Sequence, residues 1–395
     1  MLYGTSPALS AFSIGLAAAP RIGKLAGSEE PSAPSAKIDL SPAAQRLQQA
    51  REALELLSWV SQTLRQGGDD RWARVDERLS KSFDRIIEAE ADRVTLGTKG
   101  NDAISGWSDA DIEAGEGDDA ISAWSGSRVD AGAGNDVVVA WSNSTLKGGD
   151  GNDLITSWSD SAVSGGSGDD VIDAWSGNRV DGGDGNDTIK AWSDSVVSGG
   201  AGDDVIDAWS QTRVDGGDGN DIIKGWSNSH ITGGAGNDII DGWSNANIDG
   251  GAGDDVISAW TDSQVDGGEG NDIITAQGGS VVTGGRGDDT IALRPDSVAV
   301  YDAGDGHDQV STLGASTIRF GAAITSDSVS FAFEGDQVRI AFAGSETDSI
   351  TLTKTLKGTT TTLSFADGST LAVPSPPASG MVRLSVSGGV LDRTA

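Results

Sequence analysis

The sequence reads GGDGNDTIKAWSDSVVS over residues 182–198, GGAGDDVIDAWSQTRVD over 199–215 and GGDGNDIIKGWSNSHIT over 216–232. Each block has 17 residues, and the glycine-rich turn that ends in aspartate occurs 12 times at this spacing, from Asp102 to Asp289. A fixed period without insertions indicates a solenoid, in which each coil stacks on the next. We number the positions of one coil from 1 to 17, starting at its first glycine.

Two apolar positions repeat in every coil. Position 8 is Ile or Val from Ile104 to Ile291, and position 16 is Val, Ile or Leu from Ile112 to Val282. Two inward-facing residues per coil indicate two short strands, one on each side of a thin core. The sequence therefore predicts a mainly β protein, a parallel β-solenoid of 17-residue coils.

The turn at positions 1–6 has the chemistry of a metal site. Glycine at positions 1, 2 and 4 allows backbone conformations that turn carbonyl oxygens toward one point. Aspartate at position 6 adds a carboxylate, and the next coil presents the same set about 4.8 Å away. Such an all-oxygen cage suits Ca²⁺ better than Mg²⁺. The predicted ligands are Asp102, Asp119, Asp136, Asp153, Asp170, Asp187, Asp204, Asp221, Asp238, Asp255, Asp272 and Asp289, with Asp308 in a degenerate last turn.

This turn resembles the GGxGxDxUx nonapeptide of the RTX, or haemolysin-type, calcium-binding proteins, which form a parallel β-roll. The 12 turns in register cover about half of the chain. The resemblance implies export by a bacterial type I secretion machinery and folding outside the cell when calcium is met.

The second turn of each coil departs from the family pattern. Family members often carry two calcium turns per coil, whereas here the second turn reads Ala-Trp-Ser-x-Ser, as at 191–195. Position 14, where a second aspartate would stand, holds a small polar residue such as Ser127, Asn178 or Thr212. A hydroxyl is a poor calcium ligand, so we expect calcium along one edge only, with about 11 ions in the gaps between turns.

The charge of the aspartate column predicts that metal binding and folding are coupled. Carboxylates about 5 Å apart repel each other by roughly 3 kcal/mol at an effective dielectric constant near 20. A glycine-rich array without calcium should therefore be disordered, and calcium should drive its folding.

Position 11 forms a column of tryptophans on the second turn. Its members are Trp107, Trp124, Trp141, Trp158, Trp175, Trp192, Trp209, Trp226, Trp243 and Trp260. One interpretation is a stacked aromatic ladder that stabilises this edge in place of calcium. The other is a strip that binds glycans or a cell surface with tryptophan rings and serine hydroxyls; a water- or ice-ordering face is a more remote variant.

Position 7 should face outward, yet it is often β-branched and apolar, as in Val205, Ile222 and Ile239. Such residues fit any strand surface. The alternative is an apolar strip that is covered by a predicted N-terminal helical hairpin or by a second chain.

The chain on either side of the array differs from it. Residues 1–40 are predicted to be a disordered lead, and residues 41–92 an α-helical hairpin. Its second helix, with apolar positions at Trp72, Phe83, Ile86 and Ile87, should end near Ala91. The hairpin is expected to cap the first coil, or alternatively to form a dimerising coiled coil.

The repeats are predicted to span 94–297, followed by a small β-rich cap over 298–373 and a tail over 374–395. Residues 298–373 resemble the haemolysin-type calcium-binding related domain that ends many RTX chains. This resemblance implies an uncleaved export signal nearby, for which the tail is the candidate.

Composition excludes several classes of function. The chain of 395 residues has no cysteine and a formal net charge of −33, which disfavours nucleic acid and anionic membranes as partners. No apolar run is long enough for a transmembrane segment. The sequence contains no HExxH, GxSxG or P-loop motif, and its two histidines, His230 and His307, lack a catalytic setting. We therefore predict a secreted, bacterial, non-enzymatic calcium-binding protein with a structural or adhesive role, or alternatively a glycan-binding module; the sequence leaves the oligomeric state open.

Overall fold

The computed structural model describes residues 83, 85–89, 93–335, 337–354, 360–373, 383–387 and 390–394. All of them belong to the compact unit formed by residues 42–395. The predicted disordered lead and most of the predicted helical hairpin lie outside the described residues. Among the described residues no helix is long and apolar enough to cross a membrane.

The array is a parallel β-solenoid in which each coil gives one strand to each of two sheets. The first sheet contains β1 (Arg85–Ala89), β3 (Asp102–Gly106), β5 (Ala120–Ala123), β7 (Val137–Ser142), β9 (Leu154–Ser159), β11 (Val171–Ser176), β13 (Thr188–Ala191), β15 (Val205–Ala208), β17 (Ile222–Gly225), β19 (Ile239–Gly242), β21 (Val256–Ala259), β23 (Ile273–Ala276), β25 (Thr290–Leu293) and β27 (His307–Thr312). The second contains β2 (Val94–Leu96), β4 (Asp111–Glu116), β6 (Arg128–Ala133), β8 (Thr145–Asp150), β10 (Ala162–Ser167), β12 (Arg179–Asp184), β14 (Val196–Ala201), β16 (Arg213–Asp218), β18 (His230–Ala235), β20 (Asn247–Ala252), β22 (Gln264–Glu269), β24 (Val281–Arg286), β26 (Val298–Tyr301) and β28 (Ser316–Phe320).

The register of both sheets equals the sequence period. Ile189 pairs with Ile206 in the first sheet and Val180 pairs with Val197 in the second, each 17 residues apart. Stacking therefore places identical positions above one another. The predicted parallel β-solenoid of 17-residue coils is confirmed.

A thin core runs between the sheets. Ile189 at position 8 and Val197 at position 16 are buried, as are their equivalents in the neighbouring coils. Position 10 holds alanine or glycine in ten of the twelve coils. Space is short at Gly225, where an added side-chain carbon would overlap Ile231. The small apolar content per coil means that each coil depends on its neighbours for stability.

The predicted second helix is wrong where it can be tested. Residues Arg85–Ala89 form a strand that pairs in parallel with β3, with Ile87 opposite Ile104 and Ala89 opposite Gly106. These residues stand 17 positions before the first repeat and carry its alternation of side chains, so the edge of β3 recruits them as a further strand. Tertiary pairing therefore overrides the helical periodicity at this end.

After the array, one more strand joins each sheet in parallel, and the strands beyond it pair antiparallel. The first sheet continues from β27 into β31 (Ser349–Lys354), β30 (Gln337–Phe342), β29 (Val329–Glu334), β34 (Arg383–Ser387) and β35 (Val390–Thr394), and the second into β32 (Thr361–Ser364) and β33 (Thr370–Ala372). A 3₁₀ helix, Ser326–Ser328, precedes β29. The rings of Tyr301, Phe320, Phe342 and Phe365 fill this end, with centroids 5.1–6.3 Å apart. The predicted β-rich cap is confirmed as a fold; its resemblance to the haemolysin-type related domain stays a prediction.

Candidate metal site

The aspartates at position 6 form a continuous column along one edge of the solenoid, which we call the first edge. Each lies at the end of the glycine-rich turn, directly before a strand of the first sheet or within its first two residues. The turn needs glycine: Gly200 at position 2 has a φ of 118°, and a side-chain carbon there would overlap the Gly183 carbonyl oxygen of the preceding coil. Glycine thus lets successive turns stack closely enough to share ligands.

From Asp119 onward, one carboxylate oxygen of each aspartate accepts a hydrogen bond from the preceding coil. Oδ1 of Asp119 accepts the backbone N–H of Asp102 at 2.6 Å, and the same bond recurs along the column to Oδ1 of Asp289, which accepts from Asp272 at 2.9 Å. The column then continues past the regular repeats, because Oδ1 of Asp308 accepts the N–H of Asp289 at 3.2 Å. Oδ1 therefore has a structural role that the sequence analysis did not foresee.

The second carboxylate oxygen, Oδ2, is buried and accepts no hydrogen bond in many of these residues. This holds for Asp119, Asp187, Asp204, Asp221, Asp238, Asp255, Asp272 and Asp289. A buried carboxylate oxygen without a partner is costly. Its regular recurrence at one edge points to a cation as the missing partner.

Position 1 leaves space beside that oxygen. A side-chain carbon added at Gly216 would overlap both Asp221 Oδ2 and the carbonyl oxygen of Gly233 in the next coil. Oxygens of two successive coils therefore face one small space, which we call a cradle. The same pair of oxygens meets at Gly148, Gly165, Gly182, Gly199, Gly216, Gly233, Gly250 and Gly267.

The donor set of the cradle fits calcium. Among the described residues no group of three or more His, Cys, Asp or Glu side chains is arranged to hold a metal ion. A site in the cradle would combine carboxylate with backbone carbonyl oxygens. Calcium accepts such mixed oxygen ligands in flexible geometries, whereas Mg²⁺ demands a stricter octahedron.

Electrostatics make the column unfavourable without a cation. Burial raises the pKa of Asp187 to about 8 and the pKa values of Asp119, Asp221 and Asp255 to about 7, from an ordinary value of 3.8. Neighbouring aspartates add to the rise, and the hydrogen bond from the preceding coil partly offsets it. The folded column thus favours either protons or another positive charge on these carboxylates.

The residues at position 5 form a second row beside the aspartate column, and their Oδ1 atoms accept backbone hydrogen bonds. Oδ1 of Asp203 accepts the N–H of Asn220 at 2.8 Å, and Oδ1 of Asn220 accepts that of Asn237 at 2.9 Å. These bonds point to the following coil, whereas those of position 6 point to the preceding one. Asparagine and aspartate are interchangeable at position 5 because either supplies the accepting oxygen.

The first and last turns differ from the rest. Asp102 Oδ2 accepts the backbone N–H of Thr98 at 2.6 Å, so that this oxygen is already bonded. Position 1 of the next two turns is Ala114 and Ala131 in place of glycine. Beyond Asp289 the turn containing Asp308 supplies no carbonyl oxygen near Gly284. The complete cradle is therefore found in eight gaps, and the number of bound ions stays a prediction.

The opposite edge, which we call the second edge, uses hydroxyls where the first uses carboxylates. Ser195 Oγ accepts the N–H of Asn178 at 3.2 Å and is also within donating distance of the Trp175 carbonyl, at 3.3 Å. Ser144, Ser263 and Ser280 repeat this pattern of accepting and donating. An uncharged hydroxyl that already accepts an N–H is a weaker cation ligand than a carboxylate, which supports the prediction of calcium along one edge only.

Position 13 explains how the second turn is closed. Asp194, Asn228 and Asn245 have φ values of 57–60°, and Gly126 and Gly177 occupy the same position in other coils. Asparagine, aspartate and glycine are the residues that tolerate this left-handed conformation. This role was not among the predictions from the sequence, although the restricted choice of residues at position 13 signals it.

The tryptophans stack in one ladder along the second edge. Successive ring centroids are 4.6–5.7 Å apart and the ring planes differ by 8–20°. Each inner ring is thus covered on both faces by its neighbours. The inner rings therefore expose mainly their edges, and the terminal Trp107 and Trp260 have a ring neighbour on one face only. This arrangement suits mutual stacking, whereas sugar binding needs open ring faces.

Comparison with known proteins agrees with the repeat. The family model of the RTX calcium-binding nonapeptide repeat (4 copies) matches residues 142–161, 158–189, 177–195, 193–212, 215–248, 245–263 and 261–291. No curated protein matches the chain. Among solved structures, the chain is similar to the crystal structure of extracellular lipase LipA from Serratia marcescens, with 15% sequence identity and a TM-score of 0.21 over 51% of this chain and 37% of that chain. The chain therefore spans well under half of the length of that lipase.

The matched region includes all eight complete cradles and most of the tryptophan ladder. The nonapeptide repeats and the parallel β-solenoid that they build fit an RTX β-roll protein that binds calcium.

Proposed function

We propose that this chain is a secreted RTX protein whose β-roll folds when calcium binds along the first edge, and that it has a structural or adhesive role outside the cell. The main observation that supports this proposal is the row of buried Oδ2 atoms that accept no hydrogen bond. Proteins with such repeats are typically secreted and meet calcium outside the cell. Export by a type I machinery belongs to the proposal as well.

The ligands would be the Oδ2 atoms and the position 1 carbonyls of the eight cradles between Gly148 and Gly284. Bound calcium would supply the positive charge that this column lacks and tie each coil to the next. About eight ions would offset about 16 of the negative charges of the chain. Asp119, Asp136, Asp289 and Asp308 would then serve mainly as hydrogen-bond acceptors between coils through Oδ1, and Asp102 would accept the N–H of Thr98 within its own turn.

The geometry of the second edge favours a structural role for the tryptophans over glycan binding. Stacked indole rings contribute about 0.5–1.5 kcal/mol per contact beyond their burial. The ladder therefore stabilises the edge that carries no cradle. We propose no catalytic role, since RTX repeats are generally structural and calcium-binding.

Circular dichroism of the full chain during a calcium titration tests the proposal. We expect weak β signal after chelation, a cooperative gain of β signal with calcium, and a much smaller effect of equal Mg²⁺. Isothermal titration calorimetry should give a stoichiometry near eight, as counted from the cradles. A chelated protein that keeps its full β signal would contradict calcium-driven folding.

A further inference from the structure

The outer face of the first sheet carries a row of apolar side chains at position 7. At the N-terminal end of the row Ala120, Val137 and Leu154 are only 3–5% exposed, and the partly buried Phe83 packs against them. Further along, the large apolar side chains of the row are exposed. These are Val205, Ile222, Ile239, Val256 and Ile273, with 40–52% of their surface accessible. We call these five residues the outer strip.

The outer strip is large enough to matter for association. Its members are one coil apart, so that the strip extends over roughly 19 Å at about 4.8 Å per coil. Together they expose roughly 400 Å² of apolar surface, which is in the range where exposed patches mark interaction sites. A standard interface buries about 800 Å² on each partner. The strip and its flanking residues could supply that area.

A row of charges lies beside the strip on the same face. Position 9 reads Asp207, Lys224 and Asp241 in successive coils, and the neutral Ser258 and Thr275 follow. Lys224 is exposed, and both aspartates are half-buried. The sign of the side-chain charge therefore alternates from Asp207 through Lys224 to Asp241.

We propose that the outer strip is the interface between two copies of this chain, related by a two-fold axis between the coils of Ile222 and Ile239. This axis places Ile222 opposite the second copy's Ile239, and Val205 opposite its Val256. It also places Lys224 opposite Asp241 in both directions. A two-fold interface has to be self-complementary, and the alternating charges beside the regular strip meet that requirement.

The burial of the first members of the row supports this assignment. Ala120, Val137 and Leu154 show that the outer face of the first sheet already serves as a packing surface in this chain. The outer strip continues the same row where the contacts made by Phe83 end. A second copy would continue this cover along the array.

This inference rests on the proposed function, because the strip exists only when the coils are folded. Calcium also lowers the repulsion between two chains that each carry a formal charge of −33. Association should therefore require calcium, and it should be strongest when all cradles are filled.

Sedimentation equilibrium of the full chain in calcium, up to about 100 µM, tests the interface, since micromolar dimers are populated there. We expect a dimer for the natural sequence and a monomer for Ile239→Asp. The matched control is Val196→Asp, because Val196 is 40% exposed but lies on the second sheet. This control should remain a dimer.

A charge exchange tests the position of the axis. Lys224→Asp gives two acidic residues at the paired positions, and Asp241→Lys gives two basic ones. Each variant alone should be monomeric, whereas an equimolar mixture of the two should form a heterodimer. Changes in stability within each chain cannot produce that recovery.

The readouts separate failure of this inference from failure of the proposed function. If calcium induces the β signal while the natural chain stays monomeric, or if the mixture stays monomeric, the interface is overturned and calcium-driven folding stands. Protection of Ile239 in a monomer by residues 42–82 would also overturn it. If calcium induces no β signal at all, the proposed function fails first.

Discussion

The backbone N–H of Asp204 donates a hydrogen bond of 2.8 Å to Oδ1 of Asp221, the equivalent residue one coil further along. Oδ2 of Asp221 is buried and accepts none. One carboxylate therefore has two functions: Oδ1 joins the coils, and Oδ2 is available for a cation. A substitution that keeps the first function and removes the second can separate them.

Asp221→Asn should weaken calcium binding without breaking the stack. The asparagine carbonyl can still accept the N–H of Asp204, but the negative charge is lost. We expect the calcium stoichiometry to fall by about one or two, and the calcium midpoint of folding to rise roughly 10-fold, or about 1.4 kcal/mol. Calorimetry and circular dichroism measure these two quantities. Asp218→Asn, an exposed residue of the same turn, should change neither.

Acid should stabilise the metal-free array. Burial raises the pKa of Asp187 to about 8, of Asp221 to about 7 and of Asp204 to about 6, from 3.8. Since the folded state holds these protons more tightly than the unfolded state, their stabilising contribution is complete below about pH 4 and is lost as the pH rises through about 6–8. The β signal of the chelated chain should follow that trend. A signal independent of pH over this range would contradict it.

The same shifts predict that calcium displaces protons. Between pH 5 and 8 the calcium midpoint of folding should fall as the pH rises, because fewer protons compete for the carboxylates. Near pH 6–7 binding should release protons, which calorimetry in buffers of different ionisation enthalpy can count. Asp207→Asn, a change outside the cradles, should leave the proton count unaltered.

Much of this site follows from the period of the sequence. The column of Asp221 and its equivalents, the small core and the lack of a carboxylate at position 14 of the second turn could all be predicted, because identical positions of a solenoid stack. The split roles of Oδ1 and Oδ2 could not, since residue identity does not specify which oxygen a neighbouring N–H occupies. The number of complete cradles also depends on the local alternatives Ala114 and Ala131 at position 1.

The strand at Arg85–Ala89 shows where periodicity misled. Ile86 and Ile87 fit a helical stripe, but Ile87 and Ala89 also stand 17 residues before Ile104 and Gly106. Extending the repeat register backwards would have found this strand. Without a glycine turn to mark it, the local helical pattern is the stronger signal in the sequence.

Removing one inner tryptophan should destabilise the folded array. The ring of Trp192 lies 5.1 Å from that of Trp175 and 4.6 Å from that of Trp209. Trp192→Ala loses both stacking contacts, so we expect a loss of about 1–3 kcal/mol in the free energy of unfolding. Trp107→Ala, at the end of the ladder with one neighbour, should lose about half as much. Denaturant unfolding in saturating calcium measures both.

If the tryptophans bind glycans, the terminal rings should matter more than the inner ones, which is the reverse of the order expected for stability. If the ladder binds sugars through open ring faces, Trp107 and Trp260 should matter most, and the inner rings should matter little. A glycan array with both sets of variants distinguishes the two roles. Lost glycan binding with unchanged stability would contradict the structural interpretation.

A substitution at the second edge should lower the stability of the protein without changing the number of calcium ions that it binds. Ser195→Ala removes the oxygen that accepts the N–H of Asn178 and leaves that buried group without its partner. We expect a loss of about 1–3 kcal/mol in the free energy of unfolding. The calcium stoichiometry should be that of the natural chain. A reduced stoichiometry would place an ion at the second edge and contradict the one-edge assignment.

Substitutions at two adjacent glycines of one turn can distinguish the loss of the ligand space from the loss of the backbone conformation. At Gly216 an added carbon would overlap Asp221 Oδ2 and the Gly233 carbonyl, but the backbone is not in a positive-φ conformation. Ala114 and Ala131 show that alanine is compatible with this position of the turn. At Gly217, by contrast, φ is 118° and an added carbon would overlap the Gly200 carbonyl oxygen. Gly216→Ala should therefore lower the calcium stoichiometry by about one while saturating calcium still induces most of the β signal.

Gly217→Ala should instead reduce the β signal even in saturating calcium, because both the conformation and the close stacking of the coils are lost. Circular dichroism measures the β signal and calorimetry the calcium stoichiometry of both variants. Together they compare the loss of the ligand space in Gly216→Ala with the loss of the turn conformation in Gly217→Ala. An unchanged stoichiometry in Gly216→Ala would show that calcium does not use the space beside position 1. The ions would then have to lie elsewhere along the aspartate column, and the turns that begin at Ala114 and Ala131 would become equivalent to the other turns.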